Sequence, residues 1–169
     1  MAFLQHAGPD AITDLEQLRD RMPLSRLLAW NAAAVQGAKL DRGELSIYID
    51  RSQIRETVEF LKNDPETACN FLSDVTCVDY YPSEPRFEVI YHLLSMKRKE
   101  RLRLKVRLSG EASVESLYSV WPSCDYFERE VFDLFGVRFI GHPDLRRIQM
   151  PDDWKGHPLR KDYPVEGYR

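Results

Sequence analysis

Residues 87–108, FEVIYHLLSMKRKERLRLKVRL, carry the clearest strand pattern in the chain. Phe87, Val89, Tyr91 and Leu93 recur at every second position. Leu102, Leu104, Val106 and Leu108 do the same, alternating with Arg101, Arg103, Lys105 and Arg107. A period of two sends successive side chains to opposite faces, so each run predicts a strand with one buried side. The polar stretch at 96–100 predicts the loop of a hairpin. The four cations share a face with Glu88 and His92. No aromatics interleave them for base stacking, and the net charge is −3, so a nucleic-acid surface is not supported. They read as a solvated sheet face that discourages edge pairing, with a docking face for an acidic protein as the alternative.

Working outward, Val75 and Cys77 predict a further strand over 74–81, led into by a short helical piece at 66–70. Before that, Asp50 and Gln53 read as a capping pair for a helix whose stripe is Ile54, Val58 and Leu61, ended by Asn63-Asp64-Pro65. Leu45, Ile47 and Ile49 alternate as a strand after the turn Asp41-Arg42-Gly43. The segment 24–39 fits helix or strand. A first helix over 10–22 has a capping box at Thr13 and Glu16, buries Leu15, Leu18 and Met22, and stops at Pro23. Downstream, Ser109-Gly110-Glu111 closes the sheet and a short helical segment follows at 113–118. Strands grouped in this way predict an α+β fold, a mixed or antiparallel sheet with helices packed mainly on one face. A doubly wound nucleotide fold is not indicated, because neither a Gly-x-Gly-x-x-Gly nor a Walker sequence is present.

At 169 residues, 43% hydrophobic and 30% charged, the chain has the make-up of one globular domain. No apolar run approaches the roughly 18 residues of a membrane span. The first residues, MAFLQHAGPDA, lack the pattern of a signal peptide, which makes the cytosol the default compartment. Cys69, Cys77 and Cys124 are scattered without a C-x-x-C pair, as buried small hydrophobes are. They are too few to hold an iron–sulfur cluster alone.

Residues 125–164, DYFEREVFDLFGVRFIGHPDLRRIQMPDDWKGHPLRKDYP, begin as a helix with Asp125 and Glu128 at its start and Gly136 placed to end it. Stepping 100° per residue puts Phe127, Val131, Phe132, Leu134 and Phe135 on one arc. Glu128 falls inside that arc, Glu130 just beyond its edge, and Arg129 and Asp133 on the back. A carboxylate among aromatics requires a partner, for which Arg138, Arg146, Arg147 and Arg160 are the candidates. No nucleophile or second catalytic carboxylate accompanies Glu128, so a structural anchor or an interface charge is favoured over acid–base chemistry. His142 and His157 sit in two Gly-His-Pro units and could converge on a metal, but the nearby acids are commonplace loop residues. Histidines held on rigid turns fit better. Pro143, Pro151, Pro158 and Pro164 forbid a long helix, while Trp154 and Tyr163 argue against disorder. The division expected is an α+β domain over 1–140 and an extended, partner-binding arm over 141–169, with Trp, Tyr and Arg side chains as anchors.

The same residues carry a family resemblance. Glu128-Arg129-Glu130-x-x-Asp133-Leu134-Phe135-Gly136, Gly141-His142-Pro143-x-Leu145-Arg146-Arg147-Ile148 and Pro151-Asp152-Asp153-Trp154-x-Gly156-His157-Pro158-Leu159-Arg160-Lys161-Asp162-Tyr163 resemble the thirty-kilodalton-type subunit family of respiratory complex I. Gln149 departs from the aliphatic or small residue usual there. The resemblance implies a subunit of a proton-pumping NADH:quinone oxidoreductase without redox cofactor of its own, FMN and iron–sulfur clusters being held by other chains. It implies docking on the large quinone-site subunit, at the cytoplasmic side of a bacterial inner membrane, with membrane association only through the complex. Glu128, Arg129, Glu130, Asp133, His142, Arg146, Arg147, Trp154, His157, Arg160, Lys161 and Tyr163 are the motif and interface residues it implies. The equivalent subunit of a complex I-like hydrogenase, or of a dehydrogenase with another donor, is the alternative.

Overall fold

The computed structural model describes residues 11–110 and 112–168; what was expected of residues 1–10, Glu111 and Arg169 lies outside them. Along the chain run α1 (Leu15–Leu18), α2 (Leu24–Asn31), β1 (Val35–Asp41), β2 (Glu44–Ile49), α3 (Ile54–Asn63) and β3 (Phe71–Asp79). Then come β4 (Phe87–Ser95), β5 (Glu100–Leu108), β6 (Ser113–Glu115), α4 (Asp125–Phe135) and β7 (Arg138–Ile140). The five long strands form one mixed sheet in the order β1-β2-β5-β4-β3. β4 and β5 pair antiparallel with Phe87 opposite Leu108 and Leu93 opposite Leu102, the register that aligns the two apolar runs. β2 joins β5 in parallel, Ile47 beside Leu104.

That register gathers one set of alternating side chains on a single face. Ile47, Val75, Val89, Tyr91, Leu104 and Val106 meet Leu24 and Leu27 of α2, Val58 and Leu61 of α3 and Val131 of α4 in one core cluster. Of the buried apolar strand residues, Tyr48 and Ile90 point the other way and stay outside this cluster. The fold is therefore α+β with its helices on one face. β6 and β7 form a separate parallel pair, Val114 beside Phe139, and α4 is the connection between them.

Several local expectations change. α1 is a single turn capped by Asp14, whose carboxylate accepts from Glu16 N, not by Thr13. Ile12 is drawn instead into a bridge with Leu40 along the outer edge of β1. The ambiguous 24–39 segment resolves as α2, a 3-10 turn at Ala32–Ala34 and then β1. Glu66 and Thr67 lie in a turn and 68–70 carry no regular structure in place of the expected helical piece, and 113–115 are strand, because their pairing partner lies beyond α4 in sequence. Asp50 caps the 3-10 turn ahead of α3 through Ser52 N, while Gln53 accepts from Asn31 rather than reaching back. The cationic face also differs from a solvated one. Glu88 at its centre is fully buried, held by Lys105 Nζ at 2.8 Å and Arg107 Nε at 2.6 Å. Arg107 and Lys105 lie against the rings of Tyr80 and Tyr48, so they cover the carboxylate without any helix above it.

Candidate interface site at helix α4 and the arm

α4 is preceded by a 3-10 turn at Pro122–Cys124, so Asp125 is its first helical residue and makes no capping bond. Gly136 ends the helix in the left-handed conformation, φ 76°, with its N–H on Phe132 O. A side chain there would collide with Arg160 and lie 2.6 Å from the His157 ring, so glycine is required both by φ and by the arm lying across it.

The last four carbonyls of a helix lack partners within it. Here the arm supplies the rest. His157 Nδ1 donates to Asp133 O at 2.8 Å, Leu159 N to Leu134 O at 3.0 Å and Arg160 Nε to Phe135 O at 2.6 Å. The Gly-His-Pro-Leu-Arg segment is thus a C-terminal cap, with Arg160 also placed favourably at the negative end of the helix dipole. Burial and the nearby Arg160 and Arg147 lower the tendency of His157 to take up a proton, consistent with a neutral ring donating from Nδ1.

Asp133 organises the start of the arm. Its Oδ2 accepts from the backbone N–H groups of Ile148, Gln149 and Met150 at 3.0, 2.7 and 2.8 Å, and its Oδ1 from Arg147 Nη1 at 2.6 Å. Burial disfavours its charge, but these donors outweigh burial and hold the carboxyl below its ordinary value. Arg147 donates onward to Trp154 O and Gly156 O, both at 3.0 Å, and Arg129 reaches Arg146 O and Arg147 O at 3.3 Å. Asp133 and Arg129, expected on an open helix back, are consequently buried beneath the arm. Gln149 serves mainly through its backbone N–H.

Glu128 does not pair with an arginine. Its Oε2 accepts from Ser116 Oγ at 2.6 Å and its Oε1 from Leu117 N at 2.7 Å, and it is fully buried. Burial pushes its carboxyl up, opposed by Ser116, Leu117 N and the Cys124 thiol. The arginines are committed elsewhere, Arg147 and Arg160 to the far end of α4 and Arg146 to Asp144. The His142 ring is buried nearby. Its Nδ1 accepts from Asp144 N at 3.1 Å, and its Nε2 lies 3.4 Å from Asp125 O and 3.3 Å from Asp125 Oδ1. His142 and His157 bind different ends of α4, and among the described residues no group of three His, Cys, Asp or Glu could hold a metal ion. Glu130 makes only a 3.4 Å contact with Gln149 Nε2, and Tyr163 closes on Lys155 O at 3.3 Å.

A second staple was missed. Lys161 donates its backbone N–H to Asp79 Oδ2 at 2.9 Å, and Arg86 bridges Asp79 at 2.8 Å and Asp162 at 2.6 Å. Asp162 stands inside the motif quoted above, but nothing in the sequence points to its pairing with Arg86 or to the role of Asp79. Burial opposes ionisation of Asp79, but Arg86, Lys161 N and Tyr81 N prevail and bring its carboxyl from 3.8 down to about 2. A depressed carboxyl stabilises the fold fully above its unfolded value and loses that contribution as pH falls through its folded value. Acidification from pH 3.8 to about 2 should therefore weaken the arm's attachment. Amide exchange at Lys161 is expected to accelerate across this window in the wild type and to be fast already at neutral pH in Asp79→Asn.

Against this geometry, the family model for "Respiratory-chain NADH dehydrogenase, 30 Kd subunit" matches residues 47–169. The chain belongs to that family. The corresponding NADH-quinone oxidoreductase subunit of Roseiflexus sp. (strain RS-1) is 46% identical over 157 residues, covering 92% of this chain and 85% of that protein. Its counterpart from Geobacter sulfurreducens is 46% identical over 138 residues, 80% of this chain and 84% of its own length. Among solved structures, the membrane-bound sulfane sulfur reductase, an archaeal respiratory membrane complex, has a chain with TM-score 0.70 and 25% identity, covering 84% of each. The protein is thus a subunit of the multi-subunit NADH-quinone oxidoreductase complex of the respiratory chain. No helix among its described residues is long and apolar enough to cross a membrane.

Proposed function

We propose that this complex I subunit is a cofactor-free assembly element whose α4 and arm, 141–169, dock on the large quinone-site subunit. It does so in the peripheral arm at the cytoplasmic side of the bacterial inner membrane. NADH, FMN and the iron–sulfur clusters belong to neighbouring chains, and this chain supports the path to quinone by holding its partner in place. The observation that carries the reading is where large apolar side chains remain exposed. Tyr126, Ile140, Ile148, Trp154, Leu159, Val165 and Tyr168 all lie on α4, β7 or the arm, against Trp30, Phe71, Tyr81 and Met96 in the rest of the described chain. The arm's half-buried Arg147 and Arg160 bind the end of α4 while Ile148, Trp154, Leu159, Val165 and Tyr168 stay exposed, the distribution of an interface whose core awaits a partner.

Purifying the tagged full chain from membranes tests this. Flavin, several iron–sulfur subunits and NADH-dependent quinone reduction should co-purify. Ile148→Asp with Leu159→Asp should cut that recovery by roughly tenfold or more, since each buries a charge in an apolar contact, while the isolated chain melts as before. Undiminished recovery of the complex would overturn the reading. The likeness to the sulfane sulfur reductase chain favours, as second reading, the equivalent place in a complex I-like assembly with another electron partner. A nickel-containing partner, or no NADH-dependent activity in the recovered complex, would select it.

A further inference from the structure

At the end of the sheet away from the arm lies a cavity of about 370 Å³. The arm is stapled to Asp79 and Arg86, where β3 ends and β4 begins. The cavity instead opens where β4 ends and β2 and β5 begin. Its walls include Arg21 from the turn between α1 and α2, Arg98 and Lys99 from the loop between β4 and β5, and Arg101 at the start of β5. Two carboxylates also line it, and both are already engaged. Glu44 is paired with Arg103, and Glu100 receives Arg98 Nε at 2.7 Å and Nη2 at 3.1 Å. Arg21, Lys99 and Arg101 have no carboxylate partner among the described residues. In a protein of net charge −3 this is a local surplus of positive charge in a concave site.

Two further features single out the site. Ser95, only 2% exposed, lines the cavity, and its hydroxyl accepts from Arg98 N at 3.3 Å while donating to no described residue. A buried hydroxyl proton without an acceptor suits an anion. Lys99 is held at φ 56°, a left-handed conformation that a non-glycine residue adopts at a cost. Its neighbour Met96 N is tied to Asn70 Oδ1 and Lys97 Nζ to Pro65 O, so the loop presenting Lys99 is anchored at its other side.

We propose that this cavity binds a small, multiply charged phosphate anion, of the size of a di- or triphosphate group. Arg21, Lys99 and Arg101 would neutralise it and Ser95 would donate to one of its oxygens. The volume is at the lower end of the range for small-molecule sites, which fits a compact anion better than an extended cofactor.

Titration of the full chain with inorganic pyrophosphate and with tripolyphosphate, followed by calorimetry, tests the proposal. Saturable binding of one anion is expected, tighter for tripolyphosphate and weakened by added salt. Arg101→Ala and Arg21→Ala should each weaken it roughly tenfold, the worth of one charge-assisted hydrogen bond. Lys99→Gly separates binding from folding, because glycine relieves the left-handed residue while removing its charge. That variant should melt no lower than the wild type and still lose affinity to a similar degree. Arg138→Ala, an exposed cation on β7, should change nothing. No binding at all would overturn the proposal. So would binding that survives all three cavity substitutions, or binding that Arg138→Ala weakens equally.

Discussion

Asp133→Ala is expected to detach the first half of the arm from α4 and to destabilise the protein by about 3–5 kcal/mol, the range for breaking a buried ion pair by removing one partner. The substitution strips the acceptor from three consecutive backbone N–H groups, at Ile148, Gln149 and Met150, and leaves the half-buried Arg147 without its counter-charge. Nothing else on α4 can replace it. Asp133→Asn should be milder, because one carbonyl oxygen can still serve part of the N–H cluster, but it loses the charge that Arg147 requires. Limited proteolysis is the direct measurement: cleavage within 144–156 should become fast in Asp133→Ala while the β4–β5 hairpin stays resistant. If the arm stays protected and the melting temperature holds, the clasp is maintained by the cap at His157 and Arg160 alone.

Glu128→Ala is expected to cost a similar amount by a different route. Ser116 Oγ, Leu117 N–H and the Cys124 thiol would lose their common acceptor inside the core, and a buried donor left without one costs about 1–3 kcal/mol. β6 and α4 should loosen together, since Glu128 ties the end of one to the first turn of the other. Glu128→Gln keeps an oxygen for Leu117 N–H and removes a charge that burial disfavours, so its effect should be small, on the order of 1 kcal/mol. In the assembled enzyme, both variants should lower the amount of complex in proportion to their lost stability and leave turnover per complex unchanged. Complex at normal levels with turnover abolished would show instead that Glu128 takes part in the reaction.

Four of the five strands of the central sheet were legible because their signals are local, whereas β1 falls in the segment that fits helix or strand. The alternation in β4 and β5 specifies both strands and their shared register, and Gly136 announces the end of α4 by its position alone. The features that sequence did not reveal are those joining distant residues. β6 looks like a weak helix until Phe139 is beside Val114. Glu128 was recognisable as a buried carboxylate in need of a partner, but a hydroxyl and a backbone N–H satisfy it where an arginine was expected. A serine and a main-chain amide carry no pattern that singles them out. The arm was readable as ordered and aromatic from Trp154, Tyr163 and its prolines. That its inner side would cap its own helix was not, because the contacts are largely to main-chain atoms. Backbone carbonyls are present in every sequence, so they mark no particular partner.

The parallel pairing of β2 with β5 has a consequence for the order in which the protein is made. β2 leaves the ribosome well before β5, so the hairpin of β1 and β2 waits beside an open edge until Leu102 and Leu104 arrive. Helix α4 follows, and its final carbonyls stay uncapped until His157, Leu159 and Arg160 have emerged. The exposed apolar residues Ile148, Trp154, Leu159, Val165 and Tyr168 are therefore synthesised last. A nascent chain halted short of the arm would leave the carbonyls that end α4 without these donors.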